Sequence, residues 1–172
     1  SQIYVDYQLG LLKTLQRIRA KYPKLVIQDC SSGGGRINYG MLPYFDEFWG
    51  SDDTDAKMRL FIQWGELNYF PAMAIAAHVS AERNHQTGRV TPIKFRLDVA
   101  MTGRLGMELQ PSQMSKADFA FAKRGIAAYK QIRDVVQLGD LYRLHSPYEG
   151  DGVASLMYVS NDKSRAAFFA YN

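Results

Sequence analysis

"KLVIQDCSSGGGRINYG", residues 24 to 40, is the stretch on which the reading of the fold turns. An apolar, β-branched run, Leu25-Val26-Ile27, gives way at Asp29-Cys30 to two serines, three consecutive glycines and an arginine. Short continuous runs of that kind read as strands covered on both faces, the strands of parallel sheets. Bare backbone directly after such a strand marks a loop that needs positive φ or that something must approach closely. In parallel α/β architectures it is these C-terminal strand ends that carry the site.

The same rhythm extends in both directions. From Tyr7 to Tyr22, Leu12, Leu15, Ile18 and Tyr22 recur every three or four residues with Lys13, Arg17 and Arg19 between them, which predicts a helix with one buried stripe, ended by Pro23. Downstream of the glycines come an aromatic stretch, Tyr44 to Trp49, and "SDDTDA", rich in helix N-caps. A helix is expected from about Asp55 to Tyr69. Residues 72 to 79 and 95 to 101 read as strands, each followed by a polar or glycine-containing loop, "SAERNHQTGR" and "TGRLG". Ser115 and Asp118 resemble a capping box, opening a helix that runs to Gly139.

Strands alternating with helices predict parallel β with helical crossovers, as a barrel or an open sheet. A complete eightfold barrel takes roughly 250 residues, so a chain of 172 holds about half of one. After Tyr148 the texture changes to two β segments around Asn161-Asp162, a hairpin signal. The predicted class is therefore α/β, with residues 1–146 in one domain and 147–172 beginning an antiparallel β domain. Both ends read as cut, since no Met starts the chain and the apolar run at residues 165 to 172 has no partner after it.

Composition narrows the function classes. The 21 basic and 17 acidic residues are scattered without blocks, so no nucleic-acid footprint is expected. No apolar stretch approaches the ~18 residues of a membrane span, and nothing in the composition fixes the compartment. A single cysteine, Cys30, excludes an internal disulfide framework and a cysteine-based metal site.

Several candidates for chemistry remain. The glycine loop fits neither G-x-G-x-x-G nor G-x-x-x-x-G-K-[ST]. An anion cradle, a loop that merely needs positive φ, and a loop bringing backbone close to an uncharged ligand such as a sugar all stay open. Asp52, Asp53 and Asp55 crowd a helix start behind Trp49. One cap needs one acid, and carboxylates beside aromatics at strand ends are what glycoside hydrolysis uses. His78, Glu82 and His85 lack the i, i+4 spacing of a helix-borne metal site and read as loop-shaping groups. Cys30 has only Asp29 beside it in sequence, which makes a small ligand-facing side chain the better reading than a nucleophile.

Three segments, "CSSGGGRINYGMLPYFDEFWGSDDTDA" (30–56), "AAHVSAERNHQTGR" (76–89) and "GRLGMEL" (103–109), resemble in order the large α-galactosidases of glycoside hydrolase family 36. The resemblance implies the later part of a (β/α)8 TIM barrel followed by the first strands of a C-terminal β-sandwich. The activity implied is that of a retaining, exo-acting α-galactosidase releasing terminal galactose from oligosaccharides such as raffinose or melibiose. On it, Asp52 is the acid/base, 22 residues after Cys30; Cys30, Gly33 and Trp49 line the galactose pocket with it; and Asp53 is supporting structure. Ser32 departs from the glycine often found there. The nucleophile, in a Lys-Trp-Asp-like motif, is expected upstream of Ser1, because Asp6 lacks that context; without it the chain alone should be inactive. No cofactor or metal is expected, the partner being an α-galactoside; family resemblance also implies a tetramer. The alternatives are an α-N-acetylgalactosaminidase of the same family and a non-catalytic carbohydrate-binding or assembly module.

Overall fold

The computed structural model describes residues 1–172. Helix α1 (Gln2–Lys21) precedes β1 (Gln28–Asp29); then come β2 (Glu47–Phe48), α2 (Ala56–Glu66), β3 (Ala76–Val79), α3 (Ile93–Ala100), β4 (Arg104–Met107) and α4 (Lys116–Leu138). Strands β5 (Asp140–His145), β6 (Ala154–Val159) and β7 (Ala166–Tyr171) close the chain. β1 pairs with β2 and β3 with β4, both in parallel, and a parallel bridge from Phe48 to Ile75 joins the two pairs. Four strands thus lie side by side in chain order and point the same way. Their C-terminal ends gather the loops that begin at Cys30, Trp49, Ser80 and Glu108 on one rim.

Helix faces explain the packing. Leu60 and Trp64 from α2 with Leu67 just past its end, Ile93, Leu97 and Ala100 from α3, and Ala122, Tyr129 and Val136 from α4 are buried with Ile75, Ala77 and Val79 of the strand layer in one core. The last sheet joins that core through Leu156, Tyr158 and Phe169. The Tyr158 hydroxyl donates to the Thr102 carbonyl at 2.7 Å, and the Tyr171 hydroxyl to the Asp98 carbonyl at 2.9 Å. A smaller cluster of Leu15, Met41, Phe48 and Ala74 seats α1 on β2.

The structure revises several expectations. Residues 95 to 101 are expected as a strand, yet 93 to 100 form α3. It buries Ile93, Arg96, Leu97, Val99 and Ala100, a helical set disguised by an arginine. Arg96 can be buried because its guanidinium donates to the carbonyls of Thr91 (2.9 Å) and Ser80 (2.7 Å). The expected "TGRLG" turn gives way to β4 at Arg104. Residues 72 to 74 form a 3-10 turn, so only 76 to 79 of that segment are strand. β1 begins at Gln28, and Leu25 and Val26 are exposed where a doubly covered strand was expected.

The hairpin at residues 160 to 165 joins β6 to β7 as its turn signal predicts. The antiparallel sheet takes its first strand, β5, from residue 140, ahead of the expected domain boundary at 146/147. No helix is long and apolar enough to cross a membrane.

Candidate active site

Asp52 stands exposed in the loop after β2, and its carboxylate is held by its own neighbour in that loop: Trp49 Nε1–H donates to Asp52 Oδ1 at 3.0 Å. Trp49 was expected as pocket wall. Its ring is buried, stacked on His78 with centroids 4.6 Å apart and covered by the Arg59 guanidinium at 4.5 Å. What it presents to Asp52 is the N–H edge.

The glycine loop packs directly against this acid loop. Gly33 has φ +67, and a Cβ there would lie 2.5 Å from the Asp52 backbone nitrogen; at Gly34, φ +91, a Cβ would lie 2.6 Å from the Gly50 carbonyl oxygen. Both faults of an L side chain, left-handed backbone and backbone overlap, coincide, which is the physical reason for bare glycine here. Backbone-to-backbone contact brings the two loops together, and the exposed Cys30 begins the first of them.

Ser32 takes φ 49 in the same turn. A left-handed non-glycine residue costs roughly 1–2 kcal/mol, part of which glycine returns through its freer unfolded chain. Ser32→Gly is therefore expected to raise stability by about 0.5–1 kcal/mol in urea unfolding, and a loss of stability would show that the Ser32 side chain holds the loop.

The remaining acids divide their work. Asp55 caps α2: its Oδ1 accepts from the N–H groups of Lys57 (2.8 Å) and Met58 (3.3 Å). It also accepts from Thr87 Oγ1 (2.5 Å) and pairs with Arg89 (2.7 Å). Burial pushes the Asp55 carboxyl up, but the bonds from Thr87, the two amides and Arg89 together outweigh it and leave it below the usual carboxylate range. Asp53 accepts from the Asp55 N–H at 2.9 Å and so shapes the turn into the helix. Asp29, at the foot of the glycine loop, is buried with both oxygens unpaired; burial raises it, and Arg36, 3.8 Å away, lowers it less.

The long polar loop 80–89 is a clamp. Gln86 donates to the Asp52 carbonyl (3.0 Å) and accepts from the Thr54 N–H (3.0 Å), Asn84 donates to Thr54 Oγ1 (3.0 Å), and Ser80 to the Thr54 carbonyl (2.7 Å). Its residues grip the segment from Asp52 to Asp55 from one side. Sequence reasoning flagged this loop by length and polarity but could not name its grip, because each bond spans about thirty residues. Glu82 and His85 are exposed, His78 approaches Glu108 at 3.6 Å, and no group of His, Cys, Asp or Glu is arranged to hold a metal ion.

Comparison with known proteins places this geometry. The Melibiase family model matches residues 1–139. The chain is 44% identical over 160 residues to the α-galactosidase AgaA of Geobacillus stearothermophilus, covering 93% of this chain and 22% of that one. It is 41% identical over 171 residues to α-galactosidase 1 of Pediococcus pentosaceus, covering 99% and 23%. The AgaA crystal structure, described as a family 36 α-galactosidase, superposes with a TM-score of 0.91 at 44% identity over 94% of this chain and 22% of that one. The galactosidase domain of AgaSK superposes at 0.92 with 40% identity, over 95% and 23%. The chain thus spans between a fifth and a quarter of the length of these relatives. A match through every parallel strand and the loops around Asp52, with identities of 40% and above, means that the chain belongs to the Melibiase family, glycoside hydrolase family 36.

Proposed function

We propose that these residues are the acid/base-bearing part of a retaining α-galactosidase. The observation that carries the reading is Asp52: an exposed carboxylate on the rim of parallel strands, oriented by an indole N–H and backed by a glycine loop. In a retaining glycosidase such a group protonates the departing sugar oxygen and afterwards takes a proton from water, while a second carboxyl about 5–5.5 Å away forms the glycosyl-enzyme bond. Asp55 is buried in its cap and Asp53 is committed to the turn. The Lys-Trp-Asp-like motif expected around the nucleophile does not occur in the 172 residues. The second carboxyl is therefore assigned to another part of the polypeptide, and residues 1–172 alone should not turn over substrate.

The four parallel strands are read as the later part of a (β/α)8 barrel, and the sheet from β5 onward as the start of a separate β domain. Support comes from the exposed Ile3, Tyr4, Val5 and Tyr7 on α1 and the exposed Leu25 and Val26, an apolar surface that further barrel structure would cover. On this reading Cys30 and Gly33 face the galactose, with Cys30 small enough to let the ring approach. Galactose is favoured over N-acetylgalactosamine because the relatives are α-galactosidases, one of them crystallised with raffinose.

The test is to follow melibiose and raffinose hydrolysis by the full-length protein with proton NMR. Release of α-galactose ahead of its mutarotation to the β anomer is expected. First appearance of the β anomer would refute retention, and absence of hydrolysis would leave the binding-module reading.

A further inference from the structure

Arg59 is 1% exposed, so it touches neither solvent nor sugar. A buried guanidinium is costly unless its donors are used, and here each nitrogen has a partner, one of them beside Asp52. Nη1 donates to the carbonyl of Ser51, the residue before Asp52, at 3.0 Å, and Nη2 to the carbonyl of Ala76 on β3 at 2.9 Å. Nε donates to Gln63 Oε1 one helical turn on, at 3.3 Å, which fixes the fork relative to α2. The same guanidinium lies 4.5 Å from the centre of the Trp49 ring, whose N–H holds the Asp52 carboxylate. One planar cation thus ties the backbone before the acid, the ring that orients the acid, and the neighbouring strand.

We propose that Arg59 is a positioning residue for Asp52: it sets the Trp49–Asp52 geometry on which proton transfer to the leaving group depends. This rests on the acid/base reading of Asp52. Lysine in its place keeps a charge but cannot span Ser51, Ala76 and Gln63 with one planar fork. A displacement of the acid of order 1 Å costs about 10²-fold in rate.

The experiment compares Arg59→Lys and Asp52→Ala with the wild type in the full-length protein, on melibiose and on a nitrophenyl α-galactoside. Arg59→Lys is expected to lower kcat on melibiose by roughly 10²-fold. On the activated substrate the glycosylation rate, read as kcat/KM, should fall by less than about 5-fold, with inhibition by free galactose unchanged. Placing Arg59→Lys in the Asp52→Ala background should cost nothing further, because residues acting as a unit are not additive. Equal losses on both substrates for Arg59→Lys, with a leaving-group split retained for Asp52→Ala, would overturn the positioning role alone. Absence of the split in Asp52→Ala would overturn the acid reading and this proposal with it. Should Arg59→Lys fail to melt cooperatively, Trp49→Phe decides: it keeps an aromatic ring against Arg59 and removes the N–H together with part of the indole. The proposal requires the same split there, and a wild-type leaving-group dependence would overturn it.

Discussion

Asp52→Ala in the full-length protein should lower kcat/KM on melibiose or raffinose by roughly 10²–10⁴-fold, the range a positioned general acid supplies. The loss should shrink steeply as the leaving group improves. A sugar alkoxide leaves only if protonated, whereas a nitrophenolate leaves nearly unaided, so kcat/KM for a nitrophenyl galactoside should drop far less. Hydrolysis of the glycosyl-enzyme also loses its base, so kcat on that activated substrate falls while kcat/KM holds. Azide, a nucleophile that needs no base, should restore turnover and yield galactosyl azide. Asp53→Ala and Asp55→Ala should show neither the leaving-group split nor azide rescue, because those carboxylates are occupied by the Asp55 N–H and by the α2 cap with Arg89. Equal losses by Asp52→Ala on good and poor leaving groups would remove it from the acid role.

That Asp52 rather than its neighbours is the free carboxylate was legible only through the family resemblance. Composition and spacing gave three acids at a helix start. Choosing among them needs the tertiary partners, and those come from Thr87 and Arg89, more than thirty residues on. The helices α2 and α4 were legible because cap-forming side chains cluster before them and act locally: Asp55 Oδ1 accepts from the Lys57 N–H at 2.8 Å, and Ser115 Oγ from the Asp118 N–H at 3.0 Å. α3 was not, because its buried face includes Arg96, whose satisfaction by two loop carbonyls no periodicity rule can anticipate. Trp49 illustrates a different limit. An aromatic beside an acid reads as a sugar platform, and nothing local in the sequence says that His78 and Arg59 pack on its ring or that its N–H donates to Asp52. The glycine loop leaves three readings open in the sequence, and contact with another loop's backbone is not among them. Its glycines meet the acid loop's backbone at residues 50 to 52.

A second consequence lies beneath that backbone. Glu66, the last residue of α2, sends its carboxyl into the space in front of Gly50, where a Cβ on residue 50 would lie 1.1 Å from Oε1. Both of its oxygens are buried without a hydrogen-bond partner. Burial pushes this carboxyl from its ordinary 4.5 up to about 7, and the charge of Arg59 only partly pulls it back. A carboxyl raised on folding stabilises the native state fully below its unfolded value. That contribution is lost as the pH climbs through 4.5 to about 7 and is absent above. At ~1.36 kcal/mol per pH unit, the gap between 4.5 and about 7 amounts to roughly 3 kcal/mol. Glu66→Gln keeps the shape and removes the charge. It should stabilise the protein by up to about 3 kcal/mol at pH 8 and change it little at pH 4.5. With ~2–4 °C per kcal/mol for a domain of this size, the melting transition at pH 8 should rise by several degrees. A variant as stable as wild type at both pH values would mean that the carboxyl finds a partner or water in solution. Lower stability at pH 8 would mean that its charge is what holds Arg59 beneath the acid loop.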